Sequence, residues 1–597
     1  MRLVIVLAFV ALALRLFAVQ VMSGGRYSTL GAQEVTSTVQ VPAIRGGIYD
    51  RNGAVLAVSV PRSTVVADPY LISHPVQVAD ALAPVLGLPV GTLVTDLARH
   101  TGYVVLARKV SDAVASKVTS MALPGINLLP DSERIDPAGT LASPLLGIVN
   151  GSGSGASGLE YAYNTLLAGR SGKAVLKQTP DQVPLPGSAV STPSVPGSGI
   201  ELTVDEPLQY VTEQSLGAEI TASHAKSGIA IVMDSHTGDV LAMANLVADP
   251  KTGAVSQAQS NLAVQSVYEP GSVFKLVTFS AALQGGFITP SQTFSVPNQL
   301  TIDGWVFHDA ENHPTEQLSA TQILAQSSNI GTIEIANLLG RDRLAAQISN
   351  LGFGQRSGIG LPGESAGIVK TNPLTWSGSD MGSTPIGQDD AVTAQQVLDM
   401  VNCVATGGVM ITPKLVRATV AGDGSVHATP AGPTRRVMTP ATAGMLTTMM
   451  EQVVQDGTAV SASVPGYTVA GKTGTAQVPD PAHGGYIPGA YMATFAGFAP
   501  AEHPALSAIV VLEQPTPIFG GLVAAPVFSQ VMQYALHRYG IPTSPGAPAV
   551  SATIAGVPLT TVPSTAPSAT GGTTTNKGPA STTGTIGATA GSATGTP

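Results

Sequence analysis

The 597-residue chain has a single cysteine, Cys403, so it can form neither an intramolecular disulfide nor a paired-cysteine zinc or thiol-relay site. Cys403 lies in the apolar stretch Val397–Val404 and is expected to be a small buried side chain. Charge is also scarce, at 11% of residues against 44% hydrophobic. That balance excludes a chain kept unfolded by its own polarity and suits a packed extracellular or periplasmic protein. Lys plus Arg total 28 against 37 Asp plus Glu, a net charge of −9, with no dense basic run. Such a surface repels phosphates, and nucleic-acid binding is excluded. Glycine (66) and proline (45) are plentiful and imply many turns. The length exceeds what one hydrophobic core usually organises, so two or more domains are expected.

Leu3–Met22 is almost wholly apolar and about long enough, at ~1.5 Å per residue, to span a bilayer core. Arg15 interrupts it towards the end where a guanidinium can snorkel to the interface. A cleaved signal peptide is the rival, but no A-x-A site follows Val21. The expectation is a single-pass membrane anchor.

Thr36–Val41 alternates like a strand, and Asp50-Arg51-Asn52-Gly53 between Ile44–Tyr49 and Ala54–Val60 predicts a hairpin, because Asn and Gly tolerate positive φ. Residues 75–122 show helical spacing in a mixed α+β module. Pro184–Ser198 reads as a linker or exposed loop, and Asn245–Gln265 as polar and loop-like. Strands and helices alternate from Val267 to about Tyr539. After Pro542 the composition collapses to Thr, Ala, Gly, Ser and Pro, predicting a disordered tail. Two motifs are decoys. Gly153–Gly158 fits G-x-G-x-x-G but lacks the second βαβ unit and a strand-closing acid that dinucleotide binding needs. His308-Asp309-Ala310-Glu311-Asn312-His313 has metal-ligand residue types but no zinc spacing, and reads as a solvated turn. No metal or cofactor is expected.

The chemistry sits in three short stretches. Glu269-Pro270-Gly271-Ser272-Val273-Phe274-Lys275 precedes the apolar run Leu276–Leu283, so Ser272 opens a helix and Lys275 lies on the same face three residues on. A hydroxyl becomes a nucleophile when a neighbouring amine, its pKa lowered by a dry setting, takes the proton. Ser223–Lys226 also fits S-x-x-K but leads into a strand. Ser327-Ser328-Asn329 follows the helical stretch Ala320–Gln326 and offers a hydroxyl and a carboxamide on a short turn. Lys472-Thr473-Gly474-Thr475 follows strand-like Tyr467–Ala470, giving a cation, two hydroxyls and close backbone approach. Lys251-Thr252-Gly253 is a copy with no strand around it. The order S-x-x-K, S-x-N, K-T-G, with spacings of 55 residues (272 to 327) and 145 residues (327 to 472), is a specific acyl-transfer signature.

With these motifs in hand, the chain from about residue 15 to 542 resembles a class B penicillin-binding protein. Further likeness lies in Arg45–Arg51, Gly158-Leu159-Glu160, Tyr163-Asn164, Leu167–Gly169, a strand at Asp234–Met243, Phe495–Pro500 and Gly520–Phe528. Tyr268–Ser272 and Ser327–Gly331 resemble the cell-division branch more than the elongation branch. The sequence departs from the family in the acidic turn Gly387-Gln388-Asp389-Asp390 and in the short segment before the apolar span.

The resemblance implies an α+β, multi-domain chain. Its parts are a transmembrane anchor (1–22), an extended pedestal or dimerisation domain with linker (23–197), a transpeptidase domain (198–542) built on a five-stranded antiparallel sheet packed by helices, and the tail (543–597). It implies a peptidoglycan D,D-transpeptidase of septal wall synthesis, with its catalytic domain outside the cell membrane. Ser272 would be the nucleophile, Lys275 the favoured base, and Ser327 the proton carrier between Lys275 and Lys472. Asn329 would bind a substrate amide, and Lys472, Thr473, Gly474 and Thr475 the terminal carboxylate. Which lysine is the base stays open. The implied partners are peptidoglycan stem peptides, β-lactams as trapped analogues, a SEDS-type glycosyltransferase and other division proteins. A D,D-carboxypeptidase or β-lactamase-like hydrolase, and a non-catalytic β-lactam sensor or divisome scaffold, are the alternatives.

Overall fold

In a computed structural model, residues 2–18, 36–177, 189–545 and 547 are described. The N-terminal helix is Arg2–Phe17, 16 residues with its apolar side chains exposed. Among the described residues no helix is long and apolar enough to cross a membrane. Residues 19–22 of the expected span, and residues 551–597 of the expected tail, lie outside the described residues.

The predicted hairpin forms. Ile48–Tyr49 pairs antiparallel with the long strand Val55–Ala67. The Asp50 carboxylate accepts the N–H groups of Asn52 and Ala54, both at 2.7 Å, and Gly53 takes φ +86°. Val55–Ala67 also pairs with Ile126–Ile135 and Val104–Val110. The helices Pro75–Leu86 and Val90–Leu97 close a small core of Val65, Leu82, Leu93 and Val118 under this sheet. Gly199–Leu202 pairs parallel with Ile48–Tyr49 and antiparallel with Val416–Val420, so one sheet runs from the pedestal into the C-terminal part.

A buried ionic knot holds the pedestal's base. Arg45 donates to Glu160 Oε2 at 2.6 Å and Arg134 to Glu160 Oε1 at 2.8 Å, while Arg45 also reaches Asn164 Oδ1 at 2.8 Å. The glycines that mimic a dinucleotide loop serve this knot. Gly155 N donates to Asn164 Oδ1, and a Cβ on Gly155 would lie 1.9 Å from the Glu160 carbonyl oxygen.

The C-terminal part is a sheet with helices on both faces. Helix α1 (Glu206–Ser223) is capped by Asp205, whose carboxylate also takes Arg538 Nε at 2.7 and 2.8 Å. Strands β1 (Ser227–Asp234), β2 (Val240–Ala248) and β3 (Val255–Gln257) follow. Helices α2 (Lys275–Gln284), α3 (Asn329–Leu339) and α4 (Ala394–Ala405) intervene before β4 (Ala470–Pro479), β5 (Tyr486–Ala499), β6 (Leu506–Glu513) and α5 (Gly520–Arg538). The sheet order is β3-β2-β1-β6-β5-β4, antiparallel throughout. Both faces are covered, so β1 and β6 are nearly continuous apolar runs instead of alternating ones. Helix α4 is buried on every side. Strand β4, with K-T-G-T, is left at an edge.

Four expectations are corrected. The sheet has six strands, because the three-residue β3 adds an edge. Asn245 lies inside β2, buried, with its Oδ1 accepting Ala263 N at 2.8 Å, so one satisfied polar side chain disguised a strand as a loop. Asp234 closes β1 and its carboxylate accepts the N–H groups of His236 and Thr237, making Asp234–Asp239 a turn before β2. Within Pro184–Ser198, Ala189–Thr192 is a strand paired with Gly172–Lys177, while residues 178–188 lie outside the described residues.

Replacing Glu160 with Ala strands two buried guanidinium groups. The expected cost is about 3–5 kcal/mol to the pedestal, read as faster hydrogen exchange in Val55–Ala67 and Ile126–Ile135 with the central sheet unchanged.

Candidate active site

Pro270 and Gly271 turn the chain into a single 3₁₀ turn, Gly271–Phe274, that runs directly into α2. Gly271 has φ +55°, and its N–H donates to the Gly387 carbonyl at 3.0 Å. Ser272 is thereby held partly exposed, while Lys275, one turn on, is fully buried among Val273, Phe274, Leu276 and Val277.

The S-x-N motif is more than a turn. Ser327 sits at φ +61°, the left-handed region that a serine adopts at a cost, and Ser328 caps α3 with its side chain on Gly331 N. This bend turns Ser327 toward both lysines. Lys275 Nζ donates to the Ser327 carbonyl at 2.5 Å, to Asn329 Oδ1 at 2.8 Å and to Ser327 Oγ at 3.3 Å. Lys472 Nζ, from β4, reaches the same Ser327 Oγ at 2.9 Å and the Thr473 carbonyl at 3.1 Å. One hydroxyl therefore lies between two fully buried amines.

Such a pair cannot carry two charges cheaply. Burial pulls Lys275 down to about 7, with the nearby Asp309 opposing. Burial, and then the neighbouring Lys275, pull Lys472 well below the ordinary lysine range. Each amine therefore gives up its proton more readily than an ordinary lysine.

Ser272, Ser327, Asn329, Thr473 and Thr475 all line one cleft of about 920 Å³. Lys275 and Lys472 lie behind its wall. Lys472 touches the cleft's lining at Ser327 and Thr473. Gly474 explains its own presence: a Cβ there would lie 2.8 Å from the Pro270 carbonyl, so only glycine lets β4 lie against the serine turn. Among the described residues no further strand pairs outside β4, and the edge borders the cleft, where an extended peptide can add as a further strand.

The acidic turn 387–390 is absorbed locally. Asp390 Oδ1 accepts Lys370 N at 2.7 Å, with burial raising its carboxyl to about 6. Asp389 N donates to Glu269 Oε1 at 3.0 Å.

Most of the His308–His313 segment is exposed, as expected of a solvated turn, but Asp309 is turned inward. Asp309, its side chain 8% exposed, accepts from Asn329 N, from Ile330 N at 3.1 Å and from Ser328 Oγ at 2.8 Å, and so holds the start of α3. Sequence reading missed it, although an acid and a histidine spaced i,i+4 just before the motif were the available signal. Thr458, whose hydroxyl lies 2.6 Å from that of Thr473, gave no such signal. Among the described residues no three His, Cys, Asp or Glu side chains are grouped to hold a metal.

Residues 228–533 match the family model for the penicillin-binding protein transpeptidase domain, and residues 40–202 that for the penicillin-binding protein dimerisation domain. The chain is similar to penicillin-binding protein PbpB of Mycolicibacterium smegmatis, 33% identical over 91% of this chain and 90% of the relative. It is 30% identical to peptidoglycan D,D-transpeptidase FtsI of Escherichia coli K12, over 90% of this chain and 91% of the relative. Among solved structures, penicillin-binding protein 3 of Mycobacterium tuberculosis in complex with aztreonam superposes with a TM-score of 0.67 at 30% identity, covering 86% of this chain and all of that one. Two matched domains in the right order, and relatives aligned along nine-tenths of the chain, mean that it belongs to the class B penicillin-binding proteins of the cell-division type.

Proposed function

We propose that this protein is a peptidoglycan D,D-transpeptidase that cross-links stem peptides through a serine acyl-enzyme during septal wall synthesis. The observation that carries the reading is the Ser327 hydroxyl shared by two buried amines behind a cleft that Ser272 lines.

In this reading Ser272 Oγ attacks the carbonyl between two terminal D-alanines, and Lys275 takes its proton. The N–H groups of Ser272 and Thr475 receive the oxyanion, where one donor is typically worth about 2.7–4 kcal/mol. Ser327 returns the proton to the departing D-alanine. Asn329 orients a substrate amide. Thr473 and Thr475, backed by Lys472, bind the terminal carboxylate, with Gly474 admitting the strand. The amine of a neighbouring stem peptide then displaces Ser272 and takes the acyl group.

The reading includes the chain's division into an anchor at 1–22, a pedestal at 23–197, a catalytic domain at 198–542 and a tail at 543–597. Leu3–Met22 would hold the chain in the cell membrane with the catalytic domain outside. A SEDS-type glycosyltransferase would supply the glycan strands, working with other division proteins.

Incubated with a fluorescent penicillin, the wild-type protein should carry one covalent adduct by mass spectrometry, and Ser272→Ala none. With a D-Ala-D-Ala donor and an acceptor amine, the cross-linked product should exceed the hydrolysed one; hydrolysis alone would point to a carboxypeptidase. The acylation rate should rise as pH climbs through about 7, because burial lowers the Lys275 pKa to that value and the neutral amine is the base. Lys275→Gln should lower the rate by about 10²–10⁴-fold and remove that limb.

A further inference from the structure

The segment His308–His313 has a chemistry that neither the catalytic motifs nor the acyl-transfer steps use. His313 Nε2 lies 3.1 Å from Asp309 Oδ2, and His313 Nδ1 lies 2.7 Å from the Pro314 carbonyl oxygen. A carbonyl oxygen can only accept. The Asp309 carboxylate accepts as well, since it already receives Ser328 Oγ and the N–H groups of Asn329 and Ile330. Both ring nitrogens therefore face acceptors. A neutral imidazole has one N–H and would set a lone pair against an oxygen; a doubly protonated ring satisfies both contacts.

We infer that His313, as an imidazolium, is a positioning residue for the transpeptidase site, holding Asp309 and through it the Ser327–Asn329 turn. The inference rests on the proposed function. The path is short and continuous. His313 fixes Asp309, Asp309 fixes the first N–H groups of α3, and that helix start aims Asn329 Oδ1 and the Ser327 carbonyl at Lys275. The same segment acts a second time: the His308 carbonyl accepts Asn329 Nδ2 at 2.9 Å, which leaves Asn329 Oδ1 to face the lysine. A carboxylate at a helix start is favoured by the helix dipole, and an imidazolium behind it balances the charge.

The surrounding charges fit this role. Asp309 faces Lys275 from α2 and Glu334 from α3, and Lys275 in turn faces Lys472 from β4. Along its own loop His313 feels Asp309 and Glu316. The Pro314 carbonyl first, then Asp309, raise its pKa above the ordinary imidazole value. A raised folded-state pKa means that the clamp is complete at lower pH and is lost as pH rises through that value. Acylation should then be bell-shaped in pH, with an acid limb from Lys275 and an alkaline limb from His313.

The test is the second-order rate of Ser272 acylation by fluorescent penicillin across pH, for wild type, His313→Ala and His313→Gln, with melting temperatures as the check on folding. Loss of a hydrogen bond to a charged group should slow His313→Ala by about tenfold near neutral pH. His313→Gln, whose amide donates to Asp309 without titrating, should recover most of that rate and lose the alkaline limb while keeping the acid one. An alkaline limb unchanged in His313→Gln overturns the inference, as does wild-type acylation of a folded His313→Ala. Should His313→Ala fail to fold, the pH profile of His313→Gln decides alone. A wild-type protein that takes no label on Ser272 would overturn the proposed function itself, and this inference with it.

Discussion

The structure depends on one hydroxyl held between two amines that have no access to water. Desolvating an ammonium costs several kcal/mol even after the protein relaxes, so two of them side by side are tolerated only where the surrounding fold is rigid. Lys275 comes from the first turn of an apolar helix, Lys472 from a strand edge, and Ser327 from a left-handed bend. None of the three can shift without exposing an amine or breaking a contact that offsets its burial. The arrangement is chemically useful, because burial, and for Lys472 the neighbouring Lys275 as well, loosens each amine's hold on its proton.

The scaffold meets that demand with a sheet closed on both faces, one of whose two edges, β4, borders the cleft. Helices α1 and α5 are tied by the Asp205–Arg538 pair, and α4 is sealed on the other side by core contacts and by Asn402, which accepts Ser507 Oγ at 2.8 Å. Strand β4 lies against the serine turn beside the cleft. Two glycines make that meeting possible. Gly474 admits the strand against the serine turn, and Gly387, at φ +78°, lets its own loop lie against the same turn, since a Cβ there would fall 2.2 Å from the Gly271 carbonyl oxygen.

Several elements were legible because their signals are local. The Asn52-Gly53 hairpin follows from φ preferences, and the helices after residue 75 follow from spacing. The three motifs were readable because each needs special residues at fixed offsets. The misreadings share a cause. Asn245 looked like a loop residue, yet Ala263, 18 positions on, satisfies its side chain inside a strand. Ala189–Thr192 looked like linker until Gly172–Lys177 supplied a partner. Asp309 looked like one more residue of a solvated turn until α3 placed backbone N–H groups against it. In each case a polar group was judged by its neighbours in sequence, while its partner lay elsewhere.

The chain alone determined which candidate groups are present and in what order they occur, because hydroxyl, amines and carboxamide are written as residue types at characteristic offsets. It also determined that no disulfide stabilises the molecule, since one cysteine cannot pair. Only the tertiary structure decided that Ser327 would bridge Lys275 and Lys472, that Lys472 would sit behind the cleft and not in it, and that Asp309 would govern the start of α3. Those outcomes depend on distances between segments up to 145 residues apart, and burial and proton affinity are properties of the packed interior.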